Sequence, residues 1–296
     1  MTSAVTPVRP RRSVLYTPGS NARALEKAAK LRADAVILDL EDSVAPDAKE
    51  AARSQVCEAI KARAFGKRET IVRINALSTP WGAKDLLAAA AARPDAILVP
   101  KVTAPHDLHA AESKLADAAE ADLSLSLWAM VETPLAILNI AALAAAGGRL
   151  ACLVMGTNDL IKEIGGVHTK DRLNLAGALG LSVLAARAHG LSIIDGVYND
   201  IQDAPGFAAS CAQARSFGFD GKTLIHPSQI ETCNATFAPS LEEVEAAKKI
   251  IAAFRLPENK GKGAIKLDGH MVELLHAEIA ARTVALADAI ARLENT

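Results

Sequence analysis

Aromatic side chains are scarce in this sequence: Phe, Tyr and Trp together make 3% of its 296 residues, although 50% are hydrophobic. Strand-only folds draw heavily on aromatic and β-branched residues, so a core built mainly of Ala and Leu points to helices packed closely around a sheet. Only four cysteines occur (Cys57, Cys152, Cys211, Cys233), widely spaced and without a Cys-x-x-Cys pair. That excludes a paired-cysteine zinc cluster and a disulfide framework, and reduced thiols in a cytoplasmic protein are the expectation. Neither charge dominates: 33 Lys plus Arg stand against 34 Asp plus Glu, a formal net charge of −1. Without a cationic excess to displace counterions from phosphates, no nucleic-acid partner is expected. No apolar run is long enough and rich enough in large side chains to span a bilayer, so no membrane partner is expected either. Arg11 and Arg12 resemble the start of a twin-arginine export signal, but Pro18 and Gly19 break the segment before an apolar region develops.

What the chain does contain is alternation. Short apolar, β-branched runs fall at Ser13–Thr17, Ala35–Leu40, Thr70–Asn75, Asp95–Pro100, Leu125–Glu132, Ala151–Gly156, Leu191–Val197 and Lys222–His226. Most are too continuously apolar to have a wet face, as expected of parallel strands covered by helices. Between them, Ala22–Leu31, Pro46–Ala64, Lys84–Ala92, Pro105–Ala119, Pro134–Ala145 and Asp171–Ala188 carry helical periodicity. The pattern predicts an α/β fold, a (β/α)8 TIM barrel with a C-terminal helical extension. An open doubly wound sheet is the competitor, weakened because no Gly-x-Gly-x-x-Gly turn follows the first run. The expected organisation is a loose tail over 1–10, a barrel over 11–236, and a helical arm or lid over 237–296 with helices at Leu241–Phe254 and Met271–Leu293.

Barrel active sites lie where strands end and loops begin, and here nearly every run ends on a polar or ionisable group. These are Tyr16, Glu41 and Asp42, Arg73 and Asn75, Lys101, Glu132, Asn158 and Asp159, Asp195, and His226. Glu132 and Asp159 are the sharpest pair, because each follows a buried run and the fifth and sixth strands are neighbours. Two converging carboxylates suit Mg²⁺, which takes one or two protein carboxylates and fills its octahedron with water and substrate oxygens. Glu41 and Asp42 then order those waters, and Asp39, inside the same VILDL run, points into the barrel. Arg73, within the apolar TIVRIN strand, clamps a carboxylate or stabilises an oxyanion; a structural ion pair with a barrel acid is the competing reading. Lys101 raises a different chemistry, a metal-free Schiff-base aldolase. His226 either contacts substrate or caps its strand. The stretch GFDGKT has serine where a phosphate loop needs its first glycine, and it precedes a strand instead of following one, so it is set aside.

Taken together, RRSVLYTPGSNARALEKA, AVILDLEDSVAPDAKEAAR, VRIN, VPK, VETPLAILN, MGTNDL and GFDGKTLIHPSQI resemble the citrate lyase β-subunit-like family. That family includes malyl-CoA and citramalyl-CoA lyases and sits within the HpcH/HpaI aldolase superfamily. The resemblance implies a TIM barrel in a homotrimer or hexamer, with the C-terminal extension reaching a neighbouring subunit. It implies Mg²⁺ on Glu132 and Asp159, and Arg73 in contact with substrate. Tyr16, Lys27, Ile225 and His226 match positions contacting the substrate or its CoA portion. Asn21 stands where some malyl-CoA lyases carry arginine. In the C-terminal arm the family's Gly-x-Met-(Ile/Val)-Asp segment reads GHMVE, placing Glu273 where an aspartate acts as base across the subunit interface.

The implied activity is a Claisen or retro-Claisen carbon–carbon lyase. Its substrate is a 3-hydroxy-3-carboxyacyl-CoA such as malyl-, citramalyl- or citryl-CoA, which yields an α-keto acid and an acyl-CoA. On the catalytic side, the expected residues are Arg73, Glu41, Asp42 and Glu273. Malyl-CoA hydrolysis or malate-synthase-like chemistry on the same site is the near alternative. The distant ones are the Lys101 aldolase and a non-catalytic subunit of a larger lyase that works with an acyl carrier.

Overall fold

The computed structural model describes residues 8–117 and 125–295. Residues 1–7 of the expected N-terminal tail, and the last residues of the helix expected to end at Ala119, lie outside them. The elements alternate in chain order: β1 (Ser13–Pro18), α1 (Ala22–Ala28), β2 (Ala35–Asp39), α2 (Lys49–Lys61), β3 (Glu69–Arg73), α3 (Gly82–Ala92), β4 (Ala96–Val99), α4 (Pro105–Ala116) and β5 (Ser126–Val131). They continue with α5 (Pro134–Leu138), α6 (Ile140–Ala144), β6 (Leu150–Met155), α7 (Thr157–Glu163), α8 (Ala176–Ala188), β7 (Ser192–Asp195), α9 (Ala204–Phe217), β8 (Gly221–Leu224) and α10 (Ile230–Phe237). All eight strands pair in parallel with their sequence neighbours, and β1 closes on β8 with Val14 opposite Thr223 and Leu15 opposite Leu224. The predicted TIM barrel is the fold.

Each strand alternates its side chains, and that alternation builds the interior and the site together. Val14, Ala35, Ile37, Ile71, Ala96, Leu98, Trp128, Met130, Cys152, Val154 and Ile194 form one buried cluster. Continuing the same period to the carboxyl ends of the strands gives Tyr16 after Val14, Asp39 after Ile37, Arg73 after Ile71 and Glu132 after Met130. Apolar layers therefore fill the barrel and polar groups cap one end of it. The other end is closed by ion pairs. Arg11 grips Glu69 with two bonds of 2.7 Å and lies over the Trp128 ring at 4.9 Å, while Arg12 forks onto Asp34 at 2.8 and 2.9 Å.

The described residues divide into two compact units, Arg11–Ala235 and the segment from Thr236 onward joined by residues 8–10. The second contains α11 (Leu241–Arg255), β9 (Ala264–Leu267), β10 (His270–Glu273) and α12 (Leu274–Glu294). Ser240 caps α11, accepting from the Glu243 amide at 3.1 Å while Glu243 accepts from the Ser240 amide at 2.7 Å. A purely helical extension was expected, with its last helix starting at Met271. Instead β9 and β10 form an antiparallel hairpin turning through Asp268 and Gly269, both at positive φ, and α12 starts only at Leu274. Ile265 and Val272 on this hairpin pack with Ala253 of α11.

Candidate active site

The end of β2 and the loop after it are built around Asp39, which is 1% exposed. Its carboxylate accepts the Glu41 amide at 2.9 Å and the Ser43 amide at 3.1 Å, turning the chain as soon as the strand ends. Lys49 fixes the same turn from outside. Its buried ammonium donates to the carbonyls of Leu40 at 2.9 Å and Glu41 at 2.7 Å, and Asn75 donates to the Leu40 carbonyl at 2.8 Å. Gly19 packs against this corner, where a Cβ would lie 2.7 Å from the Asp39 carbonyl oxygen.

Arg73, paired with Asp39 in strand register, forks onto it with Nε–Oδ1 at 2.6 Å and Nη2–Oδ2 at 2.7 Å. Its Nη1 donates to Asp42 at 3.3 Å and approaches Glu41 Oε2 to 2.8 Å, off the hydrogen-bonding direction, so that buried oxygen has no directed donor. The guanidinium also lies 4.9 Å from the Tyr16 ring. The two readings of Arg73, ion pair with barrel acids and ligand clamp, thus coexist. Its three directed hydrogen bonds use three of its five N–H donors; of the other two, one is on Nη1, against Glu41, and one on Nη2.

Burial opposes ionisation of Asp39, but Arg73, with Ser43 and the Glu41 amide, outweighs it and holds this carboxyl below the ordinary range. Burial wins at Glu41: with Asp42, Glu132 and Asp39 nearby and Arg73 only partly compensating, its pKa is pushed up to about 8. Burial likewise raises the Tyr16 phenol, whose hydroxyl contacts Met130 Sδ at 3.5 Å.

On the opposite wall, Glu132 is fully buried at the end of β5, and its Oε2 has no hydrogen-bond partner. Its other oxygen accepts the Lys101 amide at 2.7 Å. Asp159 sits in the first turn of α7, where a helix N-terminus favours negative charge. Gly156, between β6 and α7, makes room for the pair, because a Cβ there would fall 2.3 Å from Glu132 Cβ and 2.8 Å from Oε2. The Lys101 ammonium spans the two carboxylates, 3.0 Å from Asp159 Oδ2 and 3.5 Å from Glu132 Oε1. Burial works against that ammonium, yet the two acids outweigh it and raise its pKa. An imine-forming lysine needs a neutral amine, so this environment opposes the Schiff-base reading. Burial, opposed by Lys101, raises Glu132.

A cavity of about 380 Å³ opens between these walls, lined by Tyr16, Asp39, Asp42, Arg73, Glu132 and Asp159, with Met130, Met155, Val197 and Ile225 on its apolar side. Five carboxylates (Asp39, Glu41, Asp42, Glu132, Asp159) meet two cations (Arg73, Lys101), so the mouth is acidic. Among the described residues no three His, Cys, Asp or Glu side chains converge as a metal cluster. The donor set nonetheless fits Mg²⁺: two hard carboxylates, one with an orphaned buried oxygen, hold a cationic group between them.

Other predicted residues stand apart. Lys27 is exposed in the last turn of α1, and exposed His226 caps the turn after β8, its Nδ1 3.2 Å from the Ser228 amide that donates to it. Neither lines the cavity. Asn21 caps α1, accepting from the Ala24 amide at 3.0 Å. Asn158, which unlike these lines the cavity, exchanges amide hydrogen bonds with Asn199. Asp195 is buried against Arg172 and Lys222, at 2.8 and 2.6 Å, a structural role. Glu273 belongs to the C-terminal unit, where its amide donates to His276 Nδ1 at 3.0 Å. Sequence reasoning missed Lys49, whose partners lie eight and nine residues back along the chain and leave no local signal. It saw Asp39 but not that Asp39 holds Arg73, which the shared strand register would have revealed.

Comparison with known proteins adds to this picture. The family model described as HpcH/HpaI aldolase/citrate lyase matches residues 12–227. A (3S)-malyl-CoA thioesterase of Cereibacter sphaeroides is 51% identical over 95% of this chain and 96% of its own length. The citrate lyase subunit beta of Escherichia coli is 34% identical over 90% of this chain and 89% of its own. Among solved structures, CitE of Mycobacterium tuberculosis in complex with magnesium, acetoacetate and coenzyme A superposes with a TM-score of 0.72 at 31% identity, covering 94% of this chain and 99% of that one.

Proposed function

This chain belongs to the HpcH/HpaI aldolase/citrate lyase family and is an enzyme of its citrate lyase β-like group, and we propose that it is a Mg²⁺-dependent carbon–carbon lyase of a 3-hydroxy-3-carboxyacyl-CoA. The observation that carries the reading is the fully buried Glu132, its Oε2 unpartnered, joined to Asp159 through a cationic group. An acidic mouth repels an anionic substrate unless a divalent cation enters with it. Magnesium in the structure of the tuberculosis CitE agrees with this assignment. Glu132 and Asp159 are the residues that would hold the ion, and when bound it supplies stabilisation of negative charge on the substrate's carboxylate and hydroxyl oxygens.

The chain's own residues do the rest. Glu41, with a pKa pushed up to about 8, takes the proton of the 3-hydroxyl as the bond between C2 and C3 breaks. Products are an α-keto acid and the enolate of the acyl-CoA, whose C2 takes the proton back from Glu41 and so regenerates the carboxylate. The remaining Nη2 donor of Arg73 binds the oxygen on which charge grows, Asp39 and Tyr16 keep that guanidinium aimed, and Asp42 orders water beside it. Ile225 gives the substrate an apolar wall. Lys27 and His226, exposed outside the cavity, meet the CoA portion. The exposed Leu274, Leu275 and Ile279 of α12 suit burial in a homotrimer or hexamer, where Glu273 takes the place of the family's aspartate. Four free, buried cysteines suit a cytoplasmic protein, and no helix among the described residues is long and apolar enough to cross a membrane.

A second reading is hydrolysis of malyl-CoA on the same site, favoured by the malyl-CoA thioesterase that shares 51% of its sequence. The deciding experiment supplies malyl-, citramalyl- and citryl-CoA with Mg²⁺ or with EDTA, following α-keto acid and free thiol separately. A lyase releases keto acid and acyl-CoA without free thiol; a thioesterase releases free CoA and the hydroxy acid. Turnover undiminished by EDTA would refute both.

A further inference from the structure

Lys101 binds the same carboxylate with both of its ends. Its main-chain N–H donates to Glu132 Oε1 at 2.7 Å, and its ammonium reaches back to that oxygen at 3.5 Å and on to Asp159 Oδ2 at 3.0 Å. To do so it adopts φ +53°, the left-handed region that lysine rarely occupies. Non-glycine residues in such conformations are held there by their surroundings and gather at functional sites. Its side chain is 35% exposed while that of Glu132 is 0% exposed, so the ammonium has somewhere to go and the carboxylate does not.

Two cations cannot share one pair of carboxylates without strong mutual repulsion. A divalent ion bound by Glu132 and Asp159 must therefore displace the ammonium or suffer from it. An arriving keto acid or 3-hydroxy acid brings a carboxylate that can accept the displaced lysine. We infer that Lys101 couples metal binding to substrate binding: its ammonium holds the cation position between Glu132 and Asp159 until an anionic α-oxygenated acid arrives, and then turns outward to pair with that ligand. The metal-free site keeps its two acids neutralised, and the divalent ion binds tightly only as part of a complex with substrate. This inference rests on the magnesium reading of the site and adds an order of binding to it.

The test is titration of the full-length protein with Mn²⁺, read by the EPR signal of the free ion, with and without pyruvate. It compares the wild type with Lys101→Met, Lys101→Gln and Lys101→Arg. Met and Gln keep the backbone donor to Glu132 and remove the charge, whereas Arg keeps the charge. Wild type is expected to bind Mn²⁺ weakly alone and at least roughly tenfold more tightly with pyruvate, within the usual range for coupled sites. Lys101→Met and Lys101→Gln should bind Mn²⁺ alone roughly tenfold more tightly than wild type, with the gain from pyruvate shrinking by the same factor, since coupling is reciprocal. Lys101→Arg should behave as wild type. Circular dichroism and the melting temperature of each variant confirm folding. If both neutral variants bind Mn²⁺ alone no better than wild type, while wild type still shows coupling to pyruvate, the inference fails and the magnesium site stands. Wild-type protein that binds no Mn²⁺ even with pyruvate overturns both.

Discussion

Replacing Asp39 with Asn tests the arrangement at its mechanical centre. The Asp39–Arg73 fork is buried, with side chains 2% and 9% exposed, and removing one partner of a buried ion pair costs about 3–5 kcal/mol because the other charge is stranded. Asn retains the volume and one acceptor, and Glu41 and Asp42 stay within 2.8 and 3.3 Å of Arg73, so the lower end, about 3 kcal/mol, applies. At ~2–4 °C per kcal/mol for domains of this size, the melting temperature should fall by roughly 6–12 °C. The pH dependence has a definite sign. Asp39 is depressed in the folded state from an ordinary value of 3.8, so its stabilisation is fully present above that value and lost as pH falls through the folded pKa. The Asp39 contribution to the gap between wild type and Asp39→Asn should therefore be constant from pH 8 to about 5 and close only below about 4. Loss of the fork also frees Arg73 to neutralise Glu41, so the Glu41 pKa should drop, which narrows the measured gap as pH rises toward 8 and moves the acidic limb of cleavage activity to lower pH. KM for the keto acid in the condensation direction should rise, since the guanidinium is no longer aimed. A melting temperature within about 2 °C of wild type, with unchanged KM, would refute the claim that Asp39 positions Arg73.

Other perturbations follow from the same geometry. Glu41 has a folded pKa of about 8 against an ordinary 4.5, so native protein holds an extra proton between those values and loses stability as pH rises through that window. Glu41→Gln should match wild type in melting temperature at pH 5 and exceed it at pH 9, by the equivalent of about 1–3 kcal/mol; equal curves at both pH values would contradict the buried-acid assignment. Glu132→Gln and Asp159→Asn should each lower Mg²⁺-dependent turnover by at least roughly 100-fold, while calorimetric titration shows Mg²⁺ plus pyruvate binding lost. Gly156→Ala places a Cβ 2.3 Å from Glu132 Cβ, and overpacking of this kind costs about 1–3 kcal/mol. It should weaken Mn²⁺ binding as well as stability, and unaltered metal affinity would show that Glu132 does not depend on that space.

Why the fold was so legible is visible in the strands themselves. Strands buried on both faces must be apolar almost throughout, so Ala35–Asp39 and Ala96–Val99, with every residue buried, could not be mistaken for surface. Elements that deviate from simple periods were harder. The predicted helix Pro134–Ala145 is two short helices broken at Asn139, whose side chain turns aside to donate to the Thr103 carbonyl at 3.0 Å. Helix α9 was overlooked because Pro205 and Gly206 sit in its first turn, although Asp203 caps it by accepting from the Gly206 amide at 3.0 Å and proline is at home in that position. The β9–β10 hairpin announces itself in Asp268–Gly269, a strong turn dipeptide, yet the surrounding charge reads as loop. At the site, alternation along each strand was enough to pick out Asp39, Arg73 and Glu132. It could not reveal that Lys101 leaves the strand in a left-handed turn and bridges two acids, since that depends on residues thirty and more positions away.

The lyase and thioesterase readings ask the same base to act at different atoms. Cleavage of the C2–C3 bond needs a proton taken from the 3-hydroxyl, whereas hydrolysis needs a water deprotonated for attack on the thioester carbonyl. Burial beside other acids pushes Glu41 up to about 8, and its Oε2 lacks a directed donor, so it is the acid of the mouth placed to take and return a proton. Asp39 is committed to Arg73 and to two backbone amides, and Glu132 and Asp159 are committed to a cation. If Glu41 serves both reactions, Glu41→Gln lowers keto-acid release and thiol release by the same factor, about 10²–10⁴ for loss of a general base. Thiol release that survived while keto-acid release collapsed would assign hydrolysis to a different base, and the C-terminal carboxylate Glu273 would be the first residue to substitute next.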